Sequence, residues 1–182
     1  MAITDKIVIR TGEAMITSGV PGMLAEPEVI VGELDGPFGT AFAALLGDQI
    51  KGHSRVLALM DSDIQVRPAT IMVSKVTLDD PRYIRLLTDI VQPAIAHGVL
   101  DSVRNGDIPK KKANELGIII AIWLDPAIVT VENLDRHALF NIQREATARA
   151  IHKAIACEPS VDWLLENQDN LLQRYYQGLN AG

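Results

Sequence analysis

The chain is poor in cysteine, aromatic residues and positive charge, and each shortage removes a class of function. Cys157 is its only cysteine, so a disulfide within the chain is impossible and no set of thiolates can cage zinc or an iron–sulfur cluster. A reducing compartment is the default for such usage. Aromatic residues make up 4% of the sequence, with Trp123 and Trp163 the sole tryptophans. The core therefore has to be aliphatic, and stacking platforms for single-stranded nucleic acid are lacking. Lys and Arg number 17 against 23 Asp and Glu, a formal net charge of −6, which repels a phosphate backbone rather than collecting it. The longest apolar run, Leu116 to Leu124, is less than half of a membrane-crossing helix. Asp5, Lys6, Arg10 and Glu13 punctuate Met1 to Met15 and leave no apolar stretch of signal-peptide type. The expectation is a soluble, cytoplasmic protein with neither a nucleic-acid nor a membrane partner.

Recurrent catalytic motifs are missing too. The sequence holds no P-loop, no G-x-G-x-x-G after a strand, no H-E-x-x-H and no G-x-S-x-G. His53, His97, His137 and His152 are scattered without metal-ligand spacing, so no metal site is expected.

What is present reads as one globular domain, with 48% apolar and 22% charged residues. Residues 1–160 form its body and 161–182 a helical tail of the same domain. An opening strand is expected over Lys6 to Ile16, a loop over Thr17 to Pro27, and a strand from Glu28 to Leu34. The turn Asp35-Gly-Pro-Phe-Gly39 leads to a helix over Ala41 to Ile50. Strands Arg55 to Met60 and Ala69 to Leu78 suit a hairpin with a long connection. Asp80 as N-cap and Pro81 at the first helical position start a helix that runs to about Arg104, bent near Pro93 and closed by Asn105-Gly106. A buried strand spans Leu116 to Trp123. A long helix follows from Glu132 to Ala156, striped by Leu134, Ala138, Ile142, Ala146, Ala150 and Ala154. An amphipathic tail covers Val161 to Leu179. The order implies an α+β fold, one mixed or antiparallel sheet covered by helices.

Most polar features have a structural explanation. The Gly36 to Gly39 turn suits tight packing of a helix on its strand, although its backbone N–H groups also suit an anion. Arg136, Arg144, Arg149 and Lys153 suit a solvated helix face, and His97 a hydrogen-bonded structural histidine. The strand Ala69 to Leu78 is different: its alternation puts Lys75 and Thr77 side by side on one face.

A wider pattern runs through these elements. Gly12-Glu-Ala14, Gly36-Pro37 with Thr40-Ala-Phe42, Leu57-Ala58, Pro68-Ala-Thr-Ile-Met-Val-Ser-Lys-Val-Thr77, His97-Gly-Val, Asp101-Ser-Val and Gly106-Asp-Ile-Pro109 together resemble the formaldehyde-activating enzyme family. The likeness continues through Ile118 to Trp123, Glu145-Ala-Thr147 and Glu158-Pro159. It implies a hydro-lyase that condenses formaldehyde with tetrahydromethanopterin as co-substrate, giving the N5,N10-methylene adduct and water. It also implies a fold like the second domain of ribosomal protein S5, and homopentamers with pterin clefts between subunits. Carried over by position, the family's pterin contacts fall on Glu28, Leu57, Lys75, Thr77 and Gln92.

Loss of the carbinolamine hydroxyl as water calls for a general acid. Where the family places a histidine for this task the chain has Glu26, with Glu28 in place of its aspartate and Pro27 between them. One reading makes Glu26 the acid and Glu28 its helper, a glutamic acid kept protonated by burial or by its neighbour. The other is a non-catalytic relative that binds a pterin or a formaldehyde adduct as sensor or carrier.

Overall fold

A computed structural model describes residues 7–171 of the chain. Lys6 of the expected first strand and residues 172–179 of the expected tail lie outside them. In chain order the main elements are β1 (Arg10–Glu13), β2 (Ile16–Thr17), β3 (Leu24–Glu33), α1 (Pro37–Gly47), β4 (Arg55–Leu57), β5 (Leu59–Asp61), β6 (Ile64–Gln65), β7 (Ala69–Ser74), α2 (Pro81–Leu86), α3 (Gln92–Asn105), β8 (Leu116–Trp123), α4 (Arg136–Ala156) and α5 (Val161–Asn167).

The principal sheet runs β1-β3-β8-β7-β4, with β2 pairing beside β1 on the same edge of β3. Every neighbouring pair is antiparallel except β7 and β8, which are parallel. The fold is thus α+β with a mixed sheet. The expected hairpin exists as the β4–β7 pair, and its long connection contains the small β5–β6 hairpin.

The two faces are covered unequally. Even-numbered residues of β8, Ile118, Ile120 and Ile122, are fully buried in the main core with Val91, Ile95, Val99 and Ala150 of the helical layer. Small residues let these layers approach closely. A Cβ on Gly12 would sit 2.4 Å from the Ala150 carbonyl oxygen, and one on Gly98 would sit 2.5 Å from that of Arg144. On the other face α1 covers one end only, where Phe38 and Phe42 pack with Ile71, Leu57, Val73 and Ile119. The first turn of α1 packs closely on the end of β3: a Cβ on Gly39 would lie 1.8 Å from the Leu34 oxygen.

Several expected boundaries move. Leu24 to Pro27 belongs to β3 rather than to a loop, because this segment pairs with β2 and with the end of β8. The opening strand is shortened to β1 and β2, and α1 begins at Pro37, four residues ahead of Ala41, since proline suits a first helical position. β7 ends at Ser74, because the Ser74 hydroxyl donates to the Val76 carbonyl at 2.8 Å and accepts from the Val76 N–H at 3.2 Å, closing a local turn. Asp80 caps α2 as expected, taking the N–H groups of Arg82 and Tyr83. The bend near Pro93 is a π turn over Leu87–Val91, which accommodates a proline that has no N–H to give to the preceding turn. α4 starts at Arg136, capped by Asp135, and its buried face runs through Leu139, Gln143, Ala146, Thr147, Ala150, Ile151 and Ala154. A strict every-fourth spacing drifts off that face, so Leu134, Ala138 and Ile142 are only half-buried. His97 lies edge-on to Phe140, with ring centroids 5.4 Å apart.

Candidate active site on the uncovered end of the sheet

β3 supplies the first two residues. Its alternation sends Ala25, Pro27, Val29 and Val31 toward the helices and leaves Glu26, Glu28 and Ile30 on the opposite face. Proline is tolerated in this strand because of where it falls. The Pro27 carbonyl accepts from the Ala14 N–H at 3.3 Å, in the break between β1 and β2. Its nitrogen side faces that break as well, and the Ile122 carbonyl opposite is committed to Lys75 on the far side of β8. Glu26 is half-buried opposite Trp123, and Glu28 is exposed opposite Ala121.

Lys75 reaches the same place from β7. Its N–H donates to the Ile122 carbonyl at 2.9 Å, so the main chain stays against β8 for one residue beyond the strand. Its ammonium then pairs with the Glu28 carboxylate across β8. The side chains of Lys75 and Glu28 are 31% and 54% exposed, so the pair sits at a solvent-facing surface and contributes little to stability. Its effect is to fix the Glu28 carboxylate beside Glu26.

Thr77 lies past the end of β7, not within it, and has its own partner. The loop before β4 turns through Gly52 at φ +80, and a Cβ there would meet the Thr77 side chain at 2.9 Å. The Leu78 N–H donates to the Gly52 carbonyl at 2.8 Å. Held this way, His53 places Nδ1 3.1 Å from the Ser74 carbonyl oxygen and Nε2 3.3 Å from Thr77 Oγ1. His53 carries no spacing signal in the sequence, because the contact comes entirely from the loop meeting the end of β7.

Gln92 and Leu57 form a third group. The Gln92 amide donates to the Leu57 carbonyl at 3.1 Å, while the Leu57 side chain packs in the cluster under α1. Gln92 therefore anchors the edge strand β4 rather than joining the Glu28–Lys75 pair. Beneath the site, Tyr83 donates its hydroxyl to the Leu124 carbonyl at 2.8 Å, and burial pushes this phenol up to about 12. Among the described residues no group of three or more His, Cys, Asp or Glu side chains is placed to hold a metal ion.

These features define an α+β protein whose sheet carries, toward its open end, a carboxylate–ammonium pair with a second carboxylate on the same strand face, and an imidazole in contact with a hydroxyl. Comparison with known proteins places it more narrowly. Residues 11–176 match the model of the formaldehyde-activating enzyme (Fae) family, and the chain belongs to that family. A 5,6,7,8-tetrahydromethanopterin hydro-lyase of Methanosarcina barkeri is 30% identical over 159 residues, covering 87% of this chain and 85% of the relative. Bifunctional Fae/Hps enzymes of Archaeoglobus fulgidus and Methanothrix thermoacetophila are 31% and 32% identical over 160 and 158 residues. In those alignments the chain spans only 39% and 38% of the relative's length.

Proposed function

We infer that this chain is a hydro-lyase that condenses formaldehyde with tetrahydromethanopterin to the N5,N10-methylene adduct and water. The observation that carries the reading is the Glu26, Glu28 and Lys75 constellation on the open sheet face, in a chain of this family. A pterin nitrogen attacks formaldehyde to give a carbinolamine. Glu26 is the candidate proton donor to its departing hydroxyl, with Glu28, fixed by Lys75, as helper. Leu57, Lys75, Thr77 and Gln92 are the proposed pterin contacts, with Gln92 acting through the β4 edge. Holding both reactants together supplies the larger share of the acceleration. The same reading includes a ribosomal protein S5 domain 2-like fold, a cytoplasmic setting and a homopentamer with clefts between subunits.

The test is to mix protein, formaldehyde and tetrahydromethanopterin and follow the methylene adduct above its spontaneous rate. Acceleration supports the lyase. Tight pterin binding without acceleration replaces it with a binding protein, and neither binding nor acceleration overturns both. Repeating the assay with tetrahydrofolate sets the acceptor.

A further inference from the structure

Forming the methylene bridge requires a base as well as an acid, since the second pterin nitrogen must lose its proton as it closes the ring. We propose that His53 accepts this proton through the Thr77 hydroxyl, an inference that rests on the hydro-lyase reading above.

The geometry fixes the direction of the relay. A main-chain carbonyl only accepts hydrogen bonds, so the contact to Ser74 at 3.1 Å requires the proton on His53 Nδ1. In the neutral ring Nε2 is then a bare acceptor, and the group it meets at 3.3 Å is the Thr77 hydroxyl, which donates to it. The imidazole cannot turn away easily. Gly52, at φ +80, lies against Thr77, the Gly52 carbonyl accepts from Leu78, and the His53 N–H donates to the Ile50 carbonyl at 3.0 Å. Thr77 follows Lys75 by two residues past the end of β7 and His53 meets it from the loop before β4, whereas the Lys75 ammonium holds Glu28 on the other side, across β8. Base and candidate acid thus stand on opposite sides of that lysine, which suits a reaction that protonates oxygen and deprotonates nitrogen.

The steps balance. The first pterin nitrogen adds to formaldehyde and its proton moves to oxygen, giving the carbinolamine. The C–O bond breaks with its electron pair going to oxygen, Glu26 supplies a proton, and water leaves an iminium. The second nitrogen attacks the iminium carbon. Its N–H electron pair stays on nitrogen while the proton passes to Thr77 Oγ1 and the Thr77 hydroxyl proton passes to Nε2. The imidazolium returns one proton to the Glu26 carboxylate through solvent, so one formaldehyde and two N–H groups yield one methylene bridge and one water.

The experiment compares the wild-type chain with His53→Asn, Thr77→Val and the double variant in the condensation assay. Each single change is expected to lower kcat by about 10²-fold, with KM within about twofold for His53→Asn and raised for Thr77→Val, which also loses a proposed pterin contact. The double variant is expected to be no slower than the worse single, because both break one relay. Added imidazole is expected to restore His53→Ala but not Thr77→Val. Independent losses that multiply, or a His53→Asn chain within twofold of wild type, would overturn the relay while the lyase stands. A wild-type chain that gives no acceleration overturns the lyase reading and the relay together.

Discussion

Lys75 fastens one of the two carboxylates on the open face of β3 and leaves the other, the proposed proton donor, without a cation. It pairs with Glu28, whereas Glu26, on the same face of β3, has no ion-pair partner among the described residues. Glu26→Gln keeps size and hydrogen bonding but cannot donate the proton. It is expected to lower kcat by about 10²-fold with pterin affinity within about twofold; steady-state kinetics with calorimetry check this, and an unchanged kcat contradicts the assignment. Tyr83 gives a stability counterpart. Its buried hydroxyl satisfies the Leu124 carbonyl at the end of β8, so Tyr83→Phe should destabilise the fold by about 1 kcal/mol in urea unfolding. A midpoint equal to wild type would show that the carbonyl finds another donor.

Between elements, the joint of α3 and α4 depends on a charge and on a missing side chain. Asp101 receives two hydrogen bonds from the Arg144 guanidinium and pairs with Arg104. Hydrogen bonding to Arg144, more than charge alone, holds its carboxyl below the ordinary value of 3.8. A depressed carboxylate stabilises the fold above its unfolded value and loses that contribution as pH falls through the folded one. Wild type should therefore lose more thermal stability than Asp101→Asn between about pH 5 and pH 3; parallel melting curves would refute the coupling. Gly98→Ala would thrust a Cβ to within 2.5 Å of the Arg144 oxygen and should cost about 1–3 kcal/mol by separating the helices. Local chemistry made much of this architecture legible beforehand. Leu116 to Trp123 is wholly apolar and bounded by polar loops, and Asp80-Pro81 and Asn105-Gly106 are unambiguous helix ends. Pro27 concealed the start of β3, because its tolerance depends on a gap between β1 and β2 on a neighbouring edge. The nearness of Lys75 to Glu28 came only from the family resemblance and from no local pattern, and that of His53 to Thr77 had no signal at all. These residues are 47 and 24 positions apart, and only the register of β3, β8 and β7 with the Gly52 turn brings them together.

For the molecule as a whole, α5 poses a problem that the described residues do not solve. The helix has seven residues and buries none of them, with Val161 70%, Trp163 45% and Leu165 66% exposed. A helix this short is not held by its own hydrogen bonds and needs a surface to pack on. Further apolar surface is exposed at Ile9, Ile30, Val56 and Ile64. A second copy of the chain would supply both kinds of surface at once, which is what the proposed assembly of identical subunits calls for. The wild-type chain should therefore sediment at a multiple of 19.8 kDa. Leu165→Glu, which puts a charge on α5 without touching the core, should shift it toward smaller species and weaken pterin binding in parallel, because a cleft shared between subunits loses one wall. Sedimentation velocity over a concentration series, read beside pterin titration, decides the matter. Unchanged sedimentation of Leu165→Glu would remove α5 from the interface, and a wild-type monomer that still binds pterin and accelerates the condensation would show the site to be complete within one chain.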